Sequence, residues 1–453
     1  MQADLSKKDE QFREFSLNGP MWRVVLYVGF PLALYESLNQ LFKILDTMMA
    51  SHIGASAVSA VAYLSQINMM ISAVGTGLAV GASIKVSQAY GAGDFMLVKK
   101  RVSTMFAMCG ALGIAILLVL VPFTPEFLRL MNTPEEFIAD GSTYFRLELF
   151  GMVITFFNNV YIAIERARGN SKRILILNTA VIVVKLGLTA WFVYGLGGGI
   201  NMISCATIIS QSFLLLAACI NMNQKGNAFG FSLRAISIKK EVICPMLTLS
   251  FPVIVERIAF AVGKVIVNSM STVYGSWTVG ALGISNNIGG ITTNPQNGFQ
   301  EGGSSIISQN LGAGRPKRAL LAFRWVLYID MLIGLVIMTA SLLCLNQLAG
   351  LFAGDNAEFA EMIKQIYRFE AVGAIPLGVN AAVMALLYGF GKTRVTLVMN
   401  FCRVFLFRVP VLWALQQFTD LGNVSAGIVM AVSMLSLLPV GNDMILHLIV
   451  CCV

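Results

Sequence analysis

Residues 87–94 read SQAYGAGD, and residues 308–315 read SQNLGAGR. Gln88 and Gln309 are 309 − 88 = 221 residues apart. The same offset carries Phe30-Pro31 onto Phe251-Pro252, Lys43 onto Lys264 and Gly54 onto Gly275. Farther along the offset becomes 222: Arg146-x-Glu148-x-x-Gly151 falls on Arg368-x-Glu370-x-x-Gly373, Asn178 on Asn400 and Trp191 on Trp413. One long unit is therefore written twice over nearly the whole chain. In a hydrophobic protein, such duplication marks a two-lobed carrier with its substrate site between the lobes.

The chain is 57% hydrophobic and only 12% charged, against about 25% charged for a soluble domain. It belongs in a membrane. Apolar stretches near the ~20 residues a helix needs recur throughout. They predict about twelve spans, at roughly 22–50, 57–83, 102–122, 138–163, 174–194, 201–221, 245–272, 278–308, 319–345, 362–388, 395–416 and 424–447. Lipid admits only helices or closed barrels, and these runs are too long and too evenly apolar for barrel strands. The expected fold is all-α, in two six-helix lobes. An even number of spans per copy relates the lobes by a pseudo-two-fold along the membrane normal. The expected lobes are 1–221 and 245–453, joined by a polar, basic cytoplasmic linker at 222–244 that contains Asn223-Gln224-Lys225-Gly226-Asn227 near its start, just after Asn221.

The net charge of +9 suggests nucleic acid until its placement is read. Lys85, Lys99, Lys100 and Arg101 follow span 2. Arg166, Arg168, Lys172 and Arg173 follow span 4, and Lys225, Arg234, Lys239 and Lys240 follow span 6. Arg315, Lys317, Arg318 and Arg324 follow span 8, and Lys392 and Arg394 follow span 10. The alternate loops carry Glu126, Glu135, Glu136 and Asp140, then Asp355, Glu358 and Glu361. This alternation predicts a cytoplasmic N-terminus in the cell's inner (plasma) membrane and no nucleic-acid partner. Lys7, Lys8, Asp9 and Glu10 stand where a signal peptide would need an apolar core, so none is expected.

The eight cysteines show no CxxC spacing and read as small hydrophobes, Cys451-Cys452 included. Gly389-Phe-Gly-Lys392-Thr393 resembles part of a phosphate loop, but Leu386 stands where the first glycine is required. His52 and His447 are isolated. No nucleophile–base pair or metal cluster is legible, so neither an enzyme nor a cofactor is expected.

Polar residues inside spans carry the functional signal, because lipid makes them costly. Span 1 holds Glu36, Asn39, Gln40, Lys43 and Asp46 on one helical face, which is expected to line the lobe interior. Asp46 is either a coupling carboxylate or half of a static ion pair. Span 7 holds Glu256, Arg257 and Lys264; span 5 holds Lys185; span 11 holds Arg403 and Arg408. Arg146/Glu148 and Arg368/Glu370 read as salt bridges near the outer leaflet. Pro31 and Pro252 open matched spans as hinges or plain entry turns. Span 8 is unusually polar, with Asn286, Asn287, Asn294, Gln296, Asn297, Gln300 and Glu301, whereas its mate at 75–83 is not. A polar, Pro/Gly-interrupted span is tolerated only against water or protein, so the second lobe's cavity is expected to be the more polar.

With these motifs the sequence resembles the multidrug and toxic compound extrusion (MATE) family, bacterial type, along its full length. The resemblance rests on Pro31 through Leu45-Asp46-Thr47, on the paired Gly91-Ala-Gly93 and Gly312-Ala-Gly314 turns, and on the duplicated twelve-span layout. It implies two six-helix bundles forming a V-shaped cleft, and antiport in which H⁺ or Na⁺ enters as an organic cation leaves. Asp46 falls on the span 1 aspartate that many members use for ion coupling. Where many bacterial members carry Asn and Asp in span 5, this chain has Lys185 and Thr189. Phe260 stands where some members have a span 7 glutamate, and Glu256 is the nearest carboxylate.

The expectation is thus a multidrug efflux carrier that needs no cofactor beyond H⁺ or Na⁺, handles small molecules in the bilayer and works as a monomer. Its ion-coupling candidates are Asp46, Lys185, Glu36 and Glu256. Its substrate-cavity candidates are Asn39, Gln40, Lys43, Lys264, Asn287, Gln296, Gln300 and Glu301. The buried lysines and arginines support a rival: a flippase of a lipid-linked precursor, or an exporter of an anionic or zwitterionic metabolite. A channel would need a pore loop or symmetric assembly, neither of which is legible.

Overall fold

The computed structural model describes residues 5–50, 55–131, 133, 135–223, 227–353 and 356–436. At 43, 44, 46–50, 55–63, 65, 66, 135–137, 139, 140 and 276 only the helical backbone is described. Helices follow in the order α1 (Lys7–Asn18), α2 (Met21–Ala50), α3 (Ala55–Ala92), α4 (Phe95–Leu120), α5 (Thr124–Leu130) and α6 (Glu135–Ala167). Next come α7 (Ser171–Ala190), which runs into a π-helical turn (Trp191–Gly195), α8 (Ile200–Met222), α9 (Lys240–Ser271) and α10 (Ser276–Gly312). The chain continues through α11 (Pro316–Leu343), α12 (Leu345–Ala353), α13 (Ala357–Val372), α14 (Ala374–Gly389) and α15 (Thr393–Cys402). A second π segment (Arg403–Arg408) leads into α16 (Val409–Phe418), and α17 (Val424–Leu435) closes the described chain. No strand occurs among the described residues.

Eight described helices are long and apolar enough to cross a membrane, and α13 with α14, bent by 46°, makes a ninth. At ~1.5 Å per residue, α2 and α10 are about 45 and 55 Å long and reach across as well. The described part of α17, 12 residues, is apolar but shorter than a full span. The all-α polytopic fold expected from composition is the fold that forms.

Duplication is visible in the turns. Gly93 and Gly314 adopt φ of 82° and 71°, and Gly169 and Gly391 adopt 76° and 71°. Only glycine enters this left-handed region without strain, which is why helices here end on it. The helices after the first pair of turns begin differently. Asp94 caps α4, its carboxylate accepting from the Leu97 N–H at 2.9 Å. On the other side of the repeat Pro316 opens α11, where a missing N–H costs nothing.

Packing does not follow the sequence repeat. One compact unit comprises the residues up to Phe15 with Leu41–Arg257, and the other comprises Ser16–Gln40 with the residues from Ile258 onward. The opening of α2 thus packs among helices of the second copy, and the opening of α9 among helices of the first. In the second unit a β-carbon on Gly298 would lie 2.6 Å from Ala33 Cα, and one on Gly302 would lie 3.3 Å from Gly29 Cα. In the first unit a β-carbon on Gly77 would lie 2.8 Å from Ile254 Cα, and one on Gly81 would strike the Ser250 backbone. These contacts correspond residue by residue: 298 − 77, 254 − 33, 302 − 81 and 250 − 29 all equal 221. Glycine at four positions lets two helix pairs touch backbone to backbone.

The polar helix α1 is held at its start by the first unit. Asp9 forms a two-pronged ion pair with Arg168, at 2.9 and 3.1 Å, and Arg168 also reaches Glu165 at 3.1 Å. Asn170 and Asn221 donate to Glu165 at 2.7 and 3.1 Å. Burial opposes the Arg168 charge, but Glu165 and Asp9 outweigh it and hold the guanidinium above the usual arginine range. Arg13 donates to the Tyr90 and Gly91 carbonyls at 3.0 and 2.9 Å, covering helix-end acceptors of α3. In the second unit Arg315 donates to the Leu17 carbonyl at 2.6 Å and Arg318 to the Gly19 carbonyl at 2.8 Å.

Candidate substrate and ion-coupling sites

The boundary between the two packing units passes between Gln40 and Leu41, which puts Glu36, Asn39 and Gln40 in the second unit and the backbone of Lys43 and Asp46 in the first. The side chains of Lys43 and Asp46 lie outside the described residues, and with them any ion pair of Asp46. Lys185 is half-buried on α7, next to the fully buried Thr189 one turn on. Glu256 is buried on α9, in the first unit. His52, His447, Cys451 and Cys452 lie outside the described residues.

In the second unit Gln40 is gripped by α10. Its Nε2 donates to the Asn287 carbonyl at 3.2 Å, and its Oε1 accepts from Asn294 Nδ2 at 3.1 Å. Gly290 makes room for this amide, since a β-carbon there would lie 2.8 Å from Gln40 Nε2. The polarity of α10 is in part the complement of α2. Asn39 is exposed, and Glu36, Lys264, Gln300 and Glu301 are half-buried. Gln296 does not join them. It is buried, and its Nε2 donates to the carbonyls of Asp330 and Ala374, both at 3.0 Å.

The expected Arg368–Glu370 salt bridge does not form. Two residues apart on a helix point to nearly opposite sides, and here Arg368 is exposed while Glu370 is buried. Glu370 accepts a short hydrogen bond from Ser285 of α10. A β-carbon on Gly289 would lie 2.8 Å from Glu370 Oε1. At the matching place in the first unit, Glu148 accepts from Ser204 at 2.7 Å and from Asn68 at 3.4 Å. Gly289 and Asn68 are themselves 221 apart, so one copy places a donor where the other places a space.

The charges of Arg408 and Lys264 act on Glu370. Arg408 and Arg403 bracket the π segment, and both are buried. Arg408 donates to Ser433 Oγ at 3.3 and 3.2 Å. Arg403 Nε is buried without a partner among the described residues, and the one charge acting on Arg403 is the like charge of Arg408. A π segment widens a helix turn and recurs at functional sites. This cluster of acid and base on α10, α13 and the π segment is joined through folding, and no spacing in the sequence announces it. Asp330, a lone acid in the apolar run LYIDMLIGLV of span 9, did carry a signal, yet it is absent from the candidates read from sequence.

The MatE family model matches the chain twice, over residues 31–191 and 252–414. The two matches begin 252 − 31 = 221 residues apart, the offset of the repeat. Among curated proteins, the chain is 24% identical over 409 residues to "Probable multidrug resistance protein YoeA" of Bacillus subtilis, covering 88% of each. It is 22% identical over 437 residues to "Multidrug export protein MepA" of Staphylococcus aureus, covering 95% of each. Among solved structures, the outward-facing conformation of a multidrug resistance MATE family transporter of the MOP superfamily superimposes with a TM-score of 0.89 at 21% identity, covering 98% of this chain and 99% of that one. A MOP superfamily transporter from Pyrococcus furiosus, described by a reverse polarity of its binding pocket, gives 0.90 at 21% identity with the same coverage. At this identity the structural likeness speaks for the fold.

Proposed function

The chain belongs to the MATE family, a family of multi-pass membrane transporters and not of enzymes, and from that premise we propose a secondary active multidrug exporter. It exchanges H⁺ or Na⁺ for amphipathic, often cationic, organic compounds by alternating access. The observation that carries this reading is the double match to one family unit, which supplies the two halves that such a mechanism moves. The names of the curated relatives support multidrug cargo. Asp46, with Lys185 and Glu256 in the same unit, is the coupling group of this reading, and Glu36 is a further candidate from the second unit. Gln40, Asn287, Gln300, Glu301, Lys264, Asn39 and Lys43 are its cavity groups. The protein works as a monomer in the plasma membrane with its N-terminus in the cytoplasm.

Purified protein in liposomes, loaded with a fluorescent organic cation, tests this under an imposed pH gradient or an imposed Na⁺ gradient. Efflux driven by one gradient, and lost in a folded Asp46→Asn variant, supports both the antiport and the role of Asp46. No efflux under either gradient defeats the multidrug reading.

One observation favours a second reading. Arg403 and Arg408 are both buried, and Arg403 Nε has no hydrogen-bond partner among the described residues. Buried guanidinium groups recognise carboxylates and phosphates. An anionic or zwitterionic amphiphile, such as a lipid-linked precursor, is the cargo that this cluster suits.

A further inference from the structure

Asp330 sits at the midpoint of α11, 330 − 316 = 14 residues from its start and 343 − 330 = 13 from its end. That is about 20 Å from either end of the span. Its relative exposure is 0%, and neither carboxylate oxygen has a hydrogen-bond partner among the described residues. The amide of Gln296, on α10, donates to the Asp330 carbonyl, but Gln296 Oε1 is also buried without a partner among the described residues. Two adjacent residues therefore present three buried acceptor oxygens and no donor to satisfy them. Such orphans are rare in folded proteins, and each costs free energy.

No cation pairs with the Asp330 carboxylate among the described residues. The helices packed on α11 carry ionisable groups, Glu301 on α10, Tyr367 and Glu370 on α13 and Tyr388 on α14, with Arg324 on α11 itself. None of them hydrogen-bonds to the Asp330 carboxylate. The backbone packs closely around the Asp330 carbonyl and the Gln296 amide nitrogen. A β-carbon on Gly378 would lie 2.6 Å from the Asp330 carbonyl oxygen and 2.9 Å from Gln296 Nε2. One on Gly334 would lie 2.8 Å from the Ala374 carbonyl oxygen and 3.0 Å from Gln296 Nε2. Backbone already fills the junction. A proton is the one cation that needs no cavity, and on Asp330 it supplies the donor that Gln296 Oε1 lacks.

The first copy shows what this junction looks like without polar groups. Asp330 corresponds to Cys109 (330 − 109 = 221), Gln296 to Gly75 (296 − 75 = 221) and Gly378 to Phe156 (378 − 156 = 222). There the Phe156 ring presses on Gly75 and Cys109 is buried. The same three-helix junction packs with an aromatic ring in one copy. In the other it holds an acid and an amide, with glycines cut back to admit them. Polar groups are not needed for this packing, so their presence requires another reason.

We propose that Asp330 and Gln296 form a proton-binding site within the second unit, in which Asp330 carries the proton and Gln296 Oε1 accepts its hydrogen bond. The site is separate from Asp46. It does not depend on the proposed cargo, and if Asp46 also takes a proton the carrier binds one in each unit.

Infrared difference spectroscopy of the full-length protein in lipid tests the site directly, because a protonated carboxyl has its own carbonyl stretch. Wild-type protein at neutral pH is expected to show that band, Asp330→Asn to lose it, and Asp46→Asn to leave this component in place. Gln296→Leu is expected to shift it toward the frequency of a carboxyl free of hydrogen bonds. Should Asp330→Asn fail to fold, the Gln296→Leu shift decides. A wild-type spectrum without the band, or a band unchanged in both Asp330→Asn and Gln296→Leu, overturns the proposal. Transport fails separately: loss of the Asp46 phenotype with the Asp330 band intact defeats the coupling reading and leaves this site standing.

Discussion

Gly298 meets Ala33 so closely that a methyl on the glycine would sit 2.6 Å from the Ala33 Cα. Neither partner is a flexible side chain, so α10 and α2 cannot admit extra volume without moving apart. Overpacking of this kind costs about 1–3 kcal/mol. Gly298→Val is expected to lower the thermal unfolding midpoint of the detergent-solubilised protein, and Gly77→Val, at the equivalent contact with Ile254, to do so similarly. Gly187→Val, where a β-carbon meets nothing within 4 Å, is the control. Equal midpoints in all three would show that the close contacts carry no weight.

Ser285 is the donor to buried Glu370. Ser285→Ala leaves that carboxylate oxygen without its partner, at a cost of about 1–3 kcal/mol. Glu370 and Arg408 act on each other across the same unit. Glu370→Gln and Arg408→Gln are therefore expected to be non-additive, with a coupling of about 0.5–3 kcal/mol in a double-mutant cycle. Strict additivity in thermal or denaturant unfolding would remove the pair from the account.

Arg168 binds Asp9 through two nitrogens and Glu165 through a third. Lysine keeps the charge but not the fork, so Arg168→Lys is expected to cost about 1–3 kcal/mol. Proteolysis should then release the segment bearing α1 faster than in wild type. The folded pKa of Arg168 lies above its ordinary value. Stability from this shift is complete below the unfolded pKa and is lost only as pH rises through the folded one. Cleavage rates in wild type should show no Arg168-dependent rise between pH 6 and about 10, a window well below the arginine range.

Arg403 separates the two cargo readings. With its Nε buried and unpaired among the described residues, it gains most from an anion. An alkyl phosphate is expected to stabilise the protein against heat, and Arg403→Gln to abolish the effect. An alkylammonium of equal chain length that stabilises both proteins alike, with no response to the phosphate, would favour cationic cargo instead.

The fold was legible because its signals are long. A 221-residue offset and about twelve apolar runs survive local ambiguity, and the GAG turns recur as left-handed glycines at 93 and 314. The partition of the span 1 stripe was not legible. Helical periodicity places Glu36, Gln40 and Lys43 on one face, but it does not say which neighbour meets each turn of a 30-residue helix. The Arg368–Glu370 pairing failed for a related reason: nearness in sequence was read as nearness in space, although i,i+2 positions diverge on a helix. Gln296 was found by its polarity and given to the cavity, whereas its amide joins α10 to the carbonyls of Asp330 and Ala374. Asp330 stood alone in an apolar run, the strongest kind of signal for a membrane segment. The repeat does not mark it, because its counterpart in the first copy is Cys109.

The exchange of helix openings sets a timetable for biosynthesis. Ala33 leaves the ribosome 298 − 33 = 265 residues before the glycine it packs against. At roughly 5–20 residues per second, that is a wait of about 13–50 s. During that interval the opening of α2 lacks its final neighbour, and the first unit is itself unfinished until Arg257 has been made. Neither gene half then encodes a self-sufficient product. Fragments cut between α8 and α9 should accumulate only when they are expressed together, each completing the other's bundle.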